Sequence, residues 1–126
     1  MNARQFLMIG GVVLIALGVL GYVGLGPTPG DSALGEFFYL TPGENVAHLT
    51  LGVVALLAYY FLKDAQLTKW LVILVGIIAA LAAVIGFMNA DVPPLNVGVA
   101  NLENPADNIL HVVVAVWAFW ASMKKA

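Results

Sequence analysis

One stretch of the chain decides its fold, because it occurs twice. Residues 41–58 read TPGENVAHLTLGVVALLA, and residues 104–121 align with them without a gap as NPADNILHVVVAVWAFWA. The identical pairs are Pro42/Pro105, Asn45/Asn108, His48/His111, Val53/Val116, Ala55/Ala118 and Ala58/Ala121. Self-similarity of this kind is the signature of a repeated supersecondary unit. The sequence therefore predicts a tandem duplication.

The similarity continues upstream of the two stretches, with a shift in register. Gly11, Gly18, Gly21 and Tyr22 correspond to Gly76, Ala83, Gly86 and Phe87, respectively, at an offset of 65 residues instead of 63. The connection between the two helices is therefore two residues shorter in the second unit than in the first. We predict one repeat unit over residues 1–63 and a second over residues 64–126, together forming a single membrane domain over residues 1–126.

The composition identifies the environment of this domain. The chain has 126 residues, of which 62% are hydrophobic and only 10% are charged, whereas soluble domains carry about 25% charged residues. So few charges exclude an ordinary soluble globule and a disordered chain. The net charge of −2 argues against nucleic acid as a partner, and the lack of cysteine excludes disulfides and thiolate metal sites. An integral membrane protein surrounded by the lipid bilayer remains.

Long uncharged gaps locate the membrane spans. A spanning helix needs roughly 20 mostly apolar residues, and the gaps predict helices at about 5–25, 43–62, 69–89 and 106–123. The predicted fold class is all-α: an integral membrane four-helix bundle built from two duplicated helical hairpins. Because each unit crosses the membrane twice, the two copies have the same orientation, which predicts a pseudo-two-fold axis along the membrane normal.

The charged residues also predict the orientation. The basic residues lie at the N-terminus, around the connection between the second and third predicted helices, and at the C-terminus: Arg4, Lys63, Lys69, Lys124 and Lys125. By the positive-inside rule both termini are cytoplasmic. We expect a multi-pass protein of the cytoplasmic (inner) membrane, with the two longer connections facing outward.

The second helix of each unit opens with a capping pattern. Thr41, Pro42 and Glu44 supply an N-cap hydroxyl, a proline at the first helical position and a carboxylate at the third, which predicts a capping box. Asn104, Pro105 and Asp107 repeat the pattern at residues 104–107 with an amide and a shorter acid. Each helix-start acid, Glu44 or Asp107, precedes a histidine by four residues.

Helical spacing places polar and small residues on one face of each of these helices. At about 100° per residue, Asn45, His48, Gly52 and Ala55 share a face that Tyr59 continues. The matching face of the last helix carries Asn108, His111, Ala115, Ala118 and Ser122. Trp117 and Trp120 are predicted to lie away from that face, toward lipid or another subunit.

Three interpretations of the paired faces are open. In the first, small residues allow close helix packing, and Asn and His form hydrogen bonds between helices. In the second, His48 and His111 bind a haem or a chlorophyll, with Asn45 and Asn108 as supporting residues and the small residues leaving room for a flat ring. In the third, the pairs of helix-start acid and histidine handle protons or ions.

The doubled motif resembles that of a family of small bacterial four-helix membrane proteins known only as a domain of unknown function. Its members resemble tandem two-helix units whose second helices open with an Asn-x-x-His-Leu-like motif. The matching residues here are Asn45, His48 and Leu49, and then residues 106–111 ending in His111. The second copy departs from the first at Val112 and Ala115, so a pocket that requires glycine would be closed on that side. The resemblance implies a fold and a membrane location but no activity.

These observations favour a non-enzymatic protein. The sequence shows no catalytic constellation and no metal-ligand spacing, so we expect neither catalytic residues nor a metal site. The leading hypothesis is a structural or accessory subunit of a larger membrane complex, with energy-transducing complexes as one candidate host, or a homo-oligomer. The alternatives are a bundle that binds haem or chlorophyll through His48 and His111, and a small transporter or proton-handling protein using Glu44 and Asp107.

Overall fold

The computed structural model describes residues 1–88 and 106–125, which form four α-helices. These are α1 (Ala3–Val23), α2 (Pro42–Phe61), α3 (Ala65–Met88) and α4 (Ala106–Ser122). Between α1 and α2 lie two short 3-10 turns, Pro29–Asp31 and Gly35–Phe37. No strand occurs in the described residues, and the all-α prediction is confirmed. The predicted cap at Asn104 and Pro105 and the last residue of the predicted third span lie outside these residues.

The first helix begins two residues earlier than predicted. Asn2 caps it: Asn2 Oδ1 accepts a hydrogen bond from the Gln5 amide at 2.9 Å, and the Asn2 amide donates to Gln5 Oε1 at 3.0 Å. This reciprocal capping box satisfies two backbone donors at the helix start. The prediction relied on the uncharged gap, which begins only after Arg4.

The third helix begins four residues earlier than the predicted residue 69, for a similar reason. Asp64 Oδ1 accepts from the Leu67 amide at 2.9 Å, and Thr68 Oγ1 donates to the Asp64 carbonyl at 2.8 Å. The connection after α2 is therefore only residues 62–64. An apolar gap marks where the hydrocarbon core begins, whereas a helix extends beyond it to its capping residue.

The helices pack as two hairpins, α1 with α2 and α3 with α4, and α1 also contacts both helices of the other hairpin. We call the helix ends nearest His48 and His111 the histidine end, and the opposite ends the basic end. A buried core joins the hairpins toward the basic end, formed by Ala3, Phe6, Leu7, Val72, Ala118 and Ala121. Much of the tertiary contact between the hairpins therefore involves the first turns of α1.

Trp117 is half-buried and packs against this core, whereas the sequence predicted that it faces lipid or another subunit. Its ring meets that of Phe6 edge to face at a centroid distance of 4.5 Å, and its indole nitrogen donates to Met1 Sδ at 2.9 Å. Trp120 is exposed, as predicted. The two tryptophans of α4 therefore differ: Trp117 packs between the hairpins, and Trp120 faces the surroundings.

Three of the helices, α1, α2 and α3, are long and apolar enough to cross a membrane. The fourth, α4, is apolar but has 17 residues, or roughly 26 Å at 1.5 Å per residue. The described part of the chain is thus a membrane-type helical protein with three span candidates and one shorter apolar helix.

Candidate functional site

The histidine end of α2 starts with the predicted capping box. Thr41 Oγ1 donates to Glu44 Oε1 at 2.9 Å, the Thr41 amide donates to the same oxygen at 3.3 Å, and Thr41 Oγ1 accepts from the Glu44 amide at 3.5 Å. The Glu44 side chain is buried. Its carboxylate therefore fixes the first turn of α2. Asp107, the equivalent acid in α4, is also buried.

Asn45 is fully buried between α2 and α1. Its Nδ2 donates to the Leu40 carbonyl at 3.4 Å, just before the helix. A Cβ placed on Gly21 of α1 would overlap Asn45 Oδ1 and Cγ and would lie 2.8 Å from Nδ2. The amide thus occupies the volume in which any residue other than glycine would place its side chain. Glycine is therefore required at position 21 because of the Asn45 side chain.

The same contact occurs in the second hairpin. Asn108 of α4 is fully buried, and a Cβ placed on Gly86 of α3 would overlap Asn108 Oδ1. The nearest other side-chain atoms to that Cβ are Asn108 Cγ at 2.7 Å and Nδ2 at 3.2 Å. Each asparagine of the doubled motif therefore packs on a glycine of the preceding helix in its own hairpin.

The two histidines have different hydrogen bonds. His111 Nδ1 lies 2.7 Å from the Asp107 carbonyl. Since a carbonyl only accepts, Nδ1 carries the proton, and in the neutral imidazole Nε2 is then the acceptor. His48 Nδ1 is buried and has no hydrogen-bond partner among residues 1–88 and 106–125. The equivalent positions thus hold imidazoles in different environments.

The histidines belong to one region of the protein although they lie in different hairpins. His48 lies within electrostatic range of the His111 imidazole and the Asp107 carboxylate. Within the described residues, no group of three or more metal-ligating side chains forms there or elsewhere. Among the described residues, the two imidazoles are the candidate metal-binding groups at this end.

The small residues below the histidines are used for helix packing. A Cβ on Gly52 would lie 2.7 Å from Ile15 Cγ1 and 2.9 Å from the Gly11 carbonyl oxygen, both in α1. The volume next to Gly52 is therefore filled by α1. The cofactor interpretation assigned that volume to a flat ring, and the packing interpretation assigned it to a neighbouring helix, which is what the structure contains.

Sequence reasoning found the asparagines and the glycines but did not pair them. The signal was present in the numbering: Gly21 and Gly86 differ by 65, and Asn45 and Asn108 differ by 63. Gly21 and Gly86 are equivalent positions in the two units, and so are Asn45 and Asn108. If a glycine packs on the asparagine of its own unit in one hairpin, the same contact is expected in the other. The carbonyl of Leu40 as the partner of Asn45 had no such signal.

The fold and this site define a small all-helical protein of membrane type in which Glu44 lies in a helix-start contact and Asn45 and Asn108 lie in interhelical contacts. The family model described as "Domain of unknown function (DUF4383)" matches residues 4–123. The chain belongs to that family. No curated protein and no solved structure matches the chain significantly. The resemblance to a helical family of unknown function is thus confirmed, and the Asn-x-x-His repeat as a family feature stays a prediction.

Proposed function

We propose that this protein is a non-enzymatic structural subunit of a larger membrane complex, with energy-transducing complexes as one candidate host. The observation that carries the proposal is how the motif residues are used. Glu44 caps α2, Asn45 and Asn108 pack on glycines, and His111 bonds to its own helix. Side chains that make such contacts stabilise the helix packing. We therefore assign this protein a structural role, in which it packs against other subunits.

The exterior supports association with other membrane helices. Large apolar side chains are exposed on all four helices, including Val12, Val54, Ile78 and Val116. In a bilayer such surfaces meet lipid or other apolar helices, and helix association there depends on packing. The protein thus has extensive surface for a neighbouring subunit.

The proposal includes an origin by duplication and an orientation. The contacts Gly11–Leu56 and Gly21–Asn45 in the first hairpin correspond to Gly76–Phe119 and Gly86–Asn108 in the second. Matching contacts support two repeat units, 1–63 and 64–126, related by a pseudo-two-fold axis. The basic residues gather at one end, which we place in the cytoplasm by the positive-inside rule.

Photo-crosslinking from single cysteines tests the subunit proposal, since the chain contains no cysteine. Val12→Cys, Ile78→Cys and Val116→Cys, each carrying a photo-crosslinker, sample exposed positions on three helices. We expect at least one to give a discrete adduct with another membrane protein in intact membranes. The same complex should migrate as a stoichiometric band in native gels.

Ala118→Cys, at a fully buried position, is the matched control and should give no adduct. Lipid adducts alone at all exposed positions, together with a monomer in native gels, would contradict the proposal. Adducts only between copies of this chain would contradict a hetero-complex.

The second candidate function is a membrane bundle that binds haem or chlorophyll through His48 and His111, supported by Asn45 and Asn108. The hydrogen bond from His111 Nδ1 to a carbonyl favours it, because this leaves Nε2 as the metal-binding atom. On this alternative, protein purified in mild detergent shows a Soret band that His48→Ala and His111→Ala each abolish. A stable, colourless preparation from the native host contradicts it.

A further inference from the structure

A pocket of about 460 Å³ opens at the basic end of the helices. All the basic residues of the chain line it: Arg4, Lys63, Lys69, Lys124 and Lys125. They come from α1, the connection after α2, α3 and the segment after α4, so both hairpins contribute. None of the described lining residues is acidic. The fold therefore brings the basic residues of four separate segments around one cavity.

Two of these cations are held by aromatic rings. The Arg4 guanidinium lies 4.6 Å from the centroid of the Tyr59 ring, and Lys124 Nζ lies 5.5 Å from that of Trp120. Cation–π contacts of this length are attractive. They restrict the side chains before a ligand arrives, which lowers the entropy lost on binding. Arg4 is also half-buried.

Apolar side chains adjoin the charges. Leu62 and Met123 line the same pocket, and exposed Trp70 and Trp120 lie at this end of α3 and α4. Aromatic residues at this level are typical of the membrane–water interface, where lipid headgroups lie. The pocket thus combines a cationic lining with an apolar border.

We propose that this basic pocket binds the phosphate group of an anionic ligand, such as the headgroup of an acidic phospholipid or a soluble phosphate compound. Five like charges around one cavity repel one another, and an anion bound between them offsets that repulsion. Arginine and lysine together suit phosphate, arginine through its paired donors and lysine as a point charge. Basic pockets between membrane helices bind phospholipid headgroups in this way. This site does not depend on the structural role proposed above.

Native mass spectrometry of the purified full chain in detergent tests the site with three probes: phosphatidylglycerol, phosphatidylcholine and inorganic pyrophosphate. We expect phosphatidylglycerol or pyrophosphate to bind one to one, at least tenfold more tightly than zwitterionic phosphatidylcholine. Lys69→Gln combined with Lys124→Gln should weaken that binding about tenfold or more, since each basic residue near a charged headgroup contributes severalfold. Lys69→Arg with Lys124→Arg should retain it.

A charge-balanced variant separates the pocket from net charge. Adding Asp31→Asn and Glu36→Gln, both in the connection at the histidine end, to the two glutamine substitutions restores the net charge of −2. The pocket model predicts that binding stays weak in this variant. Binding of phosphatidylglycerol without pyrophosphate assigns the site to a lipid headgroup, and lysine-dependent binding of pyrophosphate assigns it to a soluble phosphate compound. Equal binding of all lipids, or recovery in the charge-balanced variant, overturns the proposal.

Discussion

Gly21→Ala is expected to lower the free energy of unfolding by about 1–3 kcal/mol, the usual cost of overpacking a filled site. The added methyl group would overlap the side-chain oxygen of Asn45, which is fully buried. The amide cannot simply move aside, since its Nδ2 donates to the Leu40 carbonyl. SDS titration in mixed micelles, followed by circular dichroism, measures the change.

The pair provides its own rescue experiment. All three atoms nearest to the added methyl group belong to the Asn45 side chain, so Asn45→Ala removes the clash. The double variant should lose less stability than the sum of the two single variants, by about 1 kcal/mol or more, as contacting residues do. Gly86→Ala with Asn108→Ala should behave in the same way.

Gly10→Ala is the matched control in the same helix. A Cβ there has only one neighbour, Phe6 Cε1 at 4.0 Å, so the substitution should be neutral or stabilising through helix propensity. Equal losses for Gly10→Ala and Gly21→Ala, or strictly additive effects of Gly21→Ala and Asn45→Ala, would show that the contact described here does not hold the hairpin.

Phe6→Ala should cost about 3–5 kcal/mol, the range for removing a buried aromatic side chain. Phe6 is 4% exposed and packs edge to face on Trp117 of the other hairpin. Its loss leaves a cavity between α1 and α4 next to the contact that joins the hairpins. We expect a lower midpoint in SDS titration and a change in tryptophan fluorescence, because Trp117 loses its ring contact with Phe6.

Phe61→Ala is the control for the second prediction, because Phe61 is 77% exposed at the end of α2. Its effect should fall within about 0.5 kcal/mol, as for other surface substitutions. If the Phe6→Ala variant unfolds at the same SDS mole fraction as the wild type, the core at the basic end contributes little to stability.

The predicted elements and the observed ones agree where the signal is local. The capping box of Thr41 and Glu44 joins residues three apart, and α2 begins one residue from its predicted start. The starts of α1 and α3 were predicted too late because Asn2 and Asp64 lie outside the uncharged gaps that were used to locate spans. Reading the capping residues next to each gap, in addition to the gap, would have found both.

The candidate site was predictable as a set of residues but not as an arrangement. The doubled numbering identified Asn45, His48, Asn108 and His111 together. It could not show that His111 bonds to its own helix while His48 Nδ1 is buried without such a bond. Equivalent residues in repeated units share a position along the helix, but their side chains need not make the same hydrogen bonds.

The sequence by itself determined the helices, their membrane character and the doubled motif, because these follow from hydrophobicity and from hydrogen bonds spanning a few residues. Only the tertiary structure decided that Asn45 fills the space over Gly21, that Trp117 packs on Phe6, and that basic residues from four segments surround one pocket. Such contacts join residues far apart in the chain. They depend on how the helices cross and rotate about their axes, and this is set by the fit of all their side chains at once.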